Sequence, residues 1–175
     1  MKDFELRLIA ELMKDSRKSD RELAKVMGVS QPTVTRTRTK LEKSGAIREY
    51  TIIPDFVQLG YTLMGATSLE VTGALKEKFK EVRKATIDIE RNAPHAALLA
   101  INGVGTKKNR LFISFYENYS EYTNAMRLTR QIPLINTNNA ETILADLNDQ
   151  TNYRVLSMSA IANHLLRRVE MKDKK

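Results

Sequence analysis

Residues 19–45 read Ser19-Asp20-Arg21-Glu22-Leu23-Ala24-Lys25-Val26-Met27-Gly28-Val29-Ser30-Gln31-Pro32-Thr33-Val34-Thr35-Arg36-Thr37-Arg38-Thr39-Lys40-Leu41-Glu42-Lys43-Ser44-Gly45. Ser19 followed three residues later by Glu22 is a capping box, so a helix starts here. It is short, because Gly28 is free to take the positive φ that closes a helix. Ser30 then reads as the cap of a second helix, with Pro32 in its first turn, where the missing N–H costs little. That helix runs to about Lys43, and Ser44-Gly45 stops it. Ala24 is small where two helices would cross, Val29 can fill the angle between them, and Val34 and Leu41 face a common core. Two short helices joined by a tight glycine turn with these residue types are a helix–turn–helix.

The second helix would then be the reader of a DNA groove. Gln31, Thr33, Thr35, Arg36, Thr39 and Lys40 point outward, with Lys43 beyond. Glutamine and threonine can bond base edges, and arginine can fork onto guanine or a phosphate. The helix start, with Ser30, suits a phosphate oxygen. Only Glu42 is acidic between Gln31 and Lys43. The plainer alternative is a three-helix bundle with a basic solvated face, although ordinary surface helices mix both signs. Arg38 breaks the apolar pattern, since periodicity from Val34 and Leu41 turns it inward. Either its stem packs while the guanidinium escapes to the edge, or the helix is rotated so that Thr37 faces in and Arg38 joins the DNA contacts. Replacing Arg36 and Lys40 by alanine is expected to abolish DNA binding and leave folding unchanged.

Upstream, Phe4, Leu8, Ile9, Leu12 and Met13 fall at helical steps, so 3–15 is a further helix. The charge agrees with a polyanion partner at this end. The chain of 175 residues carries 29 Lys+Arg against 21 Asp+Glu, net +8. Residues 1–50 hold 12 basic and 8 acidic side chains, 51–164 hold 12 and 11, and 165–175 hold 5 and 2. The excess lies at the two ends, and the short C-terminal tail also fits a solvated terminus. There is no cysteine, which excludes disulfides, cysteine nucleophiles and thiolate metal sites. Two distant histidines, His95 and His164, make no metal centre, so no cofactor and no metal are expected. No leader or apolar spanning run is apparent, so a cytoplasmic protein with no membrane partner is expected.

Beyond Ala46 the texture changes. Ile47, Tyr50, Ile52 and Ile53 suggest an extended stretch before Pro54. Residues 61–72 read as a strand, 74–90 as a helix, 96–101 as a buried strand and 111–115 as its hairpin partner. Residues 119–131 read as a helix and 140–147 as a last strand. The order β-α-β-β-α-β is the ferredoxin-like arrangement, with both helices on one sheet face. The other face is bare and apolar, as in a surface for dimerisation. From about 153 to 171, Val155, Met158, Ala162, Leu165 and Val169 step by three and four, a helix that either packs on its own domain or clasps a partner. The fold class is therefore α+β: a helix–turn–helix domain (1–50), a linker strand (51–60), a ferredoxin-like dimerisation domain (61–149), to which the resemblance given next adds an effector role, and a C-terminal helix with a basic tail (150–175).

Ser30-Gln31-Pro32-Thr33-Val34-Thr35-Arg36 with Leu41-Glu42-Lys43-Ser44-Gly45-Ala46-Ile47, Asp15-Ser16-Arg17-Lys18-Ser19 before Glu22-Leu23-Ala24, and Leu59-Gly60-Tyr61 resemble the Lrp/AsnC family of feast/famine regulators. The resemblance implies a sequence-specific transcriptional regulator on double-stranded DNA. It also implies a homodimer that can grow to a tetramer or octamer, and modulation by a small-molecule effector such as an amino acid. Its DNA-binding residues would be Ser30, Gln31, Thr33, Thr35, Arg36, Arg38, Thr39, Lys40 and Lys43, with no catalytic residue. The sequence departs from the family at Arg38, usually apolar. It departs again in the hairpin turn, where Asn109 stands near the family's aspartate and accepts from an ammonium more weakly. Siroheme decarboxylases share the two-part plan, and His95 would be the residue to suspect in such an enzyme. A low-specificity, chromatin-like DNA binder is the other alternative.

Overall fold

The computed structural model describes residues 1–72, 75–92, 96–105, 107–152 and 156–173. The chain divides into two compact units, one of residues 1–53 with 154–175, the other of 54–153.

The first unit is helical: α1 (Asp3–Lys14), α2 (Asp20–Met27), α3 (Gln31–Lys43) and α6 (Ser159–Asp173). The predicted capping box forms, with the Glu22 amide 3.3 Å from Ser19 Oγ and the Ser19 amide 2.7 Å from Glu22 Oε2. Gly28 takes φ +67°, and the Val29 amide closes on the Ala24 carbonyl at 3.0 Å. Leu8, Leu12, Leu23, Ala24, Val34 and Leu41 form one buried core, with Val29 packed against it. The last helix, α6, packs on α1 of the same chain. Ala10 on α1 is fully buried, as are Ala162 and Val169 on α6, and Lys172 Nζ lies 3.1 Å from Asp3 Oδ1. The first helix is thus buried on two faces: Leu8 and Leu12 serve the reader core, and Ala10 is covered from behind. The helix begins at Ser159, so Met158 precedes it and is 38% exposed; Val155 lies outside the described residues.

The second unit holds β1 (Leu63–Val71), α4 (Leu75–Asn92), β2 (Ala96–Asn102), β3 (Arg110–Tyr116), α5 (Tyr119–Thr129) and β4 (Ile135–Asp146). The sheet is antiparallel in the order β2-β3-β1-β4, the ferredoxin-like order. Alternate residues of β1 (Gly65, Thr67, Leu69 and Val71) are buried, and Val82 of α4 and Ala125 of α5 are buried with them. A Cβ on Gly65 would lie 2.9 Å from the Tyr116 ring, so the close approach there requires glycine.

Two expectations change. The last strand starts at Ile135, not 140, because the register carries Ile135 and Asn136 opposite Val71 and Glu70 beyond a bulge, and Asn136 donates to Glu70 at 3.1 Å. Tertiary pairing overrides the low strand preference of an asparagine-rich run. The linker strand over 51–60 does not form: 51–55 carry no regular structure and 56–60 are turns. Extended backbone becomes a strand only against a partner edge.

Candidate nucleic-acid interface

Helix α3 buries Val34 and Leu41 and turns Gln31, Thr33, Arg36, Thr39 and Lys43 to solvent. Arg36, Thr39 and Lys43 step by three and four, so they form one stripe on the side away from the core. Two cations and a hydroxyl on a bare helix face are donors suited to phosphates and to base edges.

The remaining predicted contacts are held within the domain. Ser30 occupies the cap position with extended backbone, yet its hydroxyl makes no capping bond and lies 2.8 Å from that of Thr33. Thr35 donates to Asp20 Oδ2 at 2.6 Å. Arg38 takes the inward placement: Nε is 2.9 Å from Asp20 Oδ1, and Nη2 donates to the Lys18 carbonyl at 3.1 Å. Its guanidinium stands 5.9 Å from the Tyr50 ring centroid, and the Tyr50 hydroxyl donates to Glu42 at 2.7 Å. Burial, aided by the Glu42 carboxylate as acceptor, pushes the Tyr50 phenol up to about 12. Arg38 is therefore corrected from a DNA contact to a brace between α3 and the start of α2. Lys40 reaches sideways, its ammonium 2.6 Å from Glu5 Oε1. The Lys40 bond, then the Lys2 amide, holds the Glu5 carboxyl below its usual range. Alanine at Lys40 would strip a buried carboxylate of its partner, so it is not a purely surface change.

Asp20 is the residue that sequence reasoning missed. It is an acid in a basic segment, one position past the cap, and it receives both Thr35 and Arg38. Asp20→Ala leaves a half-buried guanidinium without its carboxylate. It is expected to lower stability by about 1–3 kcal/mol, read as a fall in melting temperature, with Arg38→Met restoring part of the loss.

At the hairpin, Asn109 is similarly occupied. Its side chain accepts the Val71 amide at 2.7 Å and donates to the Val71 carbonyl at 3.0 Å, so it stitches the turn to the end of β1. Lys108 pairs with Glu141 on β4. His95 lies outside the described residues. Among the described residues no group of three or more His, Cys, Asp or Glu could hold a metal, and no helix is long and apolar enough to cross a membrane.

A family model described as winged helix-turn-helix DNA-binding matches residues 1–48. The chain is 37% identical over 87 residues to the HTH-type transcriptional regulator LrpC of Bacillus subtilis, covering 50% of this chain and 60% of that protein. It is 42% identical over 57 residues to an uncharacterized HTH-type transcriptional regulator of Pyrococcus abyssi, covering 33% of this chain and 38% of that one. The alignments thus span 38% to 60% of these relatives' length. Over the whole fold, the chain superposes on B. subtilis LrpC with TM-score 0.67 at 23% identity, covering 88% of this chain and 99% of that one. On a Neisseria meningitidis transcriptional regulator, NMB0573, solved as its L-Met complex, the TM-score is 0.72 at 17% identity, covering 95% and 99%. Escherichia coli AsnC gives 0.66 at 19% identity, covering 89% and 97%. The resemblance to Lrp/AsnC regulators is borne out in sequence over part of the chain and in fold over most of it.

Proposed function

We propose that this chain, which has the fold of the Lrp/AsnC regulators, is a sequence-specific transcriptional regulator that reads double-stranded DNA as a homodimer or higher oligomer. The observation that carries this reading is the bare stripe of Arg36, Thr39 and Lys43 on α3, held on a helix–turn–helix core. Phosphate contacts would supply affinity, and base contacts register. A dimer would bring two such helices to half-sites one helical turn, or a multiple of it, apart. The regulators among its relatives favour this reading over an enzyme, and it places the protein in the cytoplasm with the DNA. Selection of random duplexes on the purified protein at physiological salt tests it. An enriched two-fold motif supports a dimeric reader, whereas binding without enrichment supports the chromatin-like alternative.

Oligomerisation is assigned to the open face of the sheet. The register places Leu99 and Ile101 of β2, Leu111 and Ile113 of β3, and Ile143 of β4 on the side away from Thr67 and Leu69. Leu99, Ile101 and Ile143 are 40%, 47% and 77% exposed. An apolar face of this kind is costly to leave in water. Ile143→Asp is expected to weaken self-association by more than about 2 kcal/mol, seen as a monomer in sedimentation at micromolar concentration. A small-molecule effector belongs to the same reading. Because Asn109 is occupied by Val71, an amino-acid ammonium would need an acceptor other than the Asn109 side chain.

A further inference from the structure

Helix α3 carries threonine at every second position from 33 to 39: Thr33, Thr35, Thr37 and Thr39. A threonine can offer DNA its hydroxyl, which bonds base edges and phosphates, or its methyl, which packs on the C5-methyl of thymine. The hydrogen bonds of α3 decide which is offered. Thr35 is spent on Asp20, and the Thr37 hydroxyl donates to the Thr33 carbonyl at 2.8 Å. The Thr33 hydroxyl is turned back to that of Ser30, 2.8 Å away. Thr33 is nonetheless exposed, and so is Pro32 beside it. The branched Cβ of Thr33 carries one oxygen and one methyl. With the oxygen directed at Ser30, the methyl is the group left for a ligand. Pro32 has no amide hydrogen and offers only ring carbons. The two residues therefore put carbon, not donors, one turn ahead of Arg36 on the same side of the helix.

We propose that Thr33, flanked by Pro32, reads the C5-methyl of one thymine in each half-site, one or two base pairs from the base that Arg36 contacts. The proposal rests on the DNA-binding reading above. A recognition helix places its N-terminal residues on base edges. An apolar group there has nothing to give a phosphate, and in the major groove the thymine methyl is its complement. From Thr33 to Arg36 the helix rises about 4.5 Å, against about 3.4 Å per base step, which sets the spacing of the two contacts.

The test uses the full chain and the selected duplex, with thymine replaced by uracil at one position at a time. The exchange removes the methyl and keeps every hydrogen-bonding group. The position at which Arg36→Ala relaxes preference locates the neighbouring base. Uracil one or two base pairs from it is expected to weaken binding about 4-fold, the worth of about 0.8 kcal/mol for one buried carbon group. Exchange in both half-sites multiplies this to about 15-fold. Thr33→Ser keeps the hydroxyl and loses the methyl. It should bind the thymine duplex about 15-fold more weakly and no longer respond to uracil. Thr33→Val keeps the methyl, and should bind and respond as the wild type does. Both variants should melt with the wild type. Uracil without effect at every position would overturn the proposal, as would a uracil effect that persists in Thr33→Ser. Binding that survives Thr33→Ser but not Thr33→Val would assign the hydroxyl instead and also overturn it. Those results leave the reader assignment standing. That assignment fails separately, and takes the proposal with it, if Arg36→Ala with Lys43→Ala binds as the wild type does or if selection enriches no motif.

Discussion

Arg36→Ala combined with Lys43→Ala is expected to weaken binding to the selected duplex by about 2–4 kcal/mol. Folding and oligomer size should not change. The two residues lie on the outward stripe of α3, with no part in the core of Leu8, Leu23, Val34 and Leu41. The arginine supplies a fork for guanine or a phosphate, the lysine a point charge near the helix end. Two signatures separate these roles. Loss of Lys43 alone should weaken all sequences about equally and flatten the salt dependence by about one phosphate. Loss of Arg36 should relax preference at one position of each half-site. The pair replaces the choice of Arg36 with Lys40, because Lys40 also neutralises the buried Glu5.

Val169→Asp is expected to cost the reader unit about 3–5 kcal/mol. The Val169 side chain is fully buried on α6, which packs on α1, and a carboxylate in its place would be taken out of water. Val169→Ala removes volume without charge and should cost less, about 1–3 kcal/mol. Thermal melts rank the two variants, and hydrogen exchange of the α1 amides shows where protection is lost. Because α1 also carries Leu8 and Leu12 of the reader core, DNA binding should fall with stability in the aspartate variant and recover on cooling. An unchanged melt would mean that α6 is not seated on α1.

Much of the reader was legible in the sequence because its signals are local. Ser19 with Glu22, Gly28, Pro32 and the spacing of Val34 and Leu41 each specify a backbone conformation or a face over a few residues. The side-chain pairings were not legible. Asp20 meets Thr35 and Arg38, 15 and 18 residues away, and Glu5 meets Lys40 across 35. No periodicity reports such contacts, and so Lys40 reads as an outward cation, while Arg38 stands open between an inward packing and a DNA contact. The same limit applies to β4, where the early strand residues gain their conformation from β1, and to α6, whose apolar steps fixed a buried face without saying which helix covers it. The open sheet face was legible from the alternation in Leu111, Ile113 and Phe115. One of its residues, Phe115, is in fact covered within the chain by Phe56, stacked 3.9 Å away.

The central claim is that the exposed stripe of α3 enters the DNA groove. A photo-reactive amino acid at position 39, midway along that stripe, tests it most directly, with the same group at position 127 on the exposed side of α5 as the control. Crosslinking of position 39 to a base within the selected half-site, with none from position 127, is the expected result. No base crosslink from position 39 under conditions where the duplex is fully bound would contradict the claim and require a different surface to read the DNA.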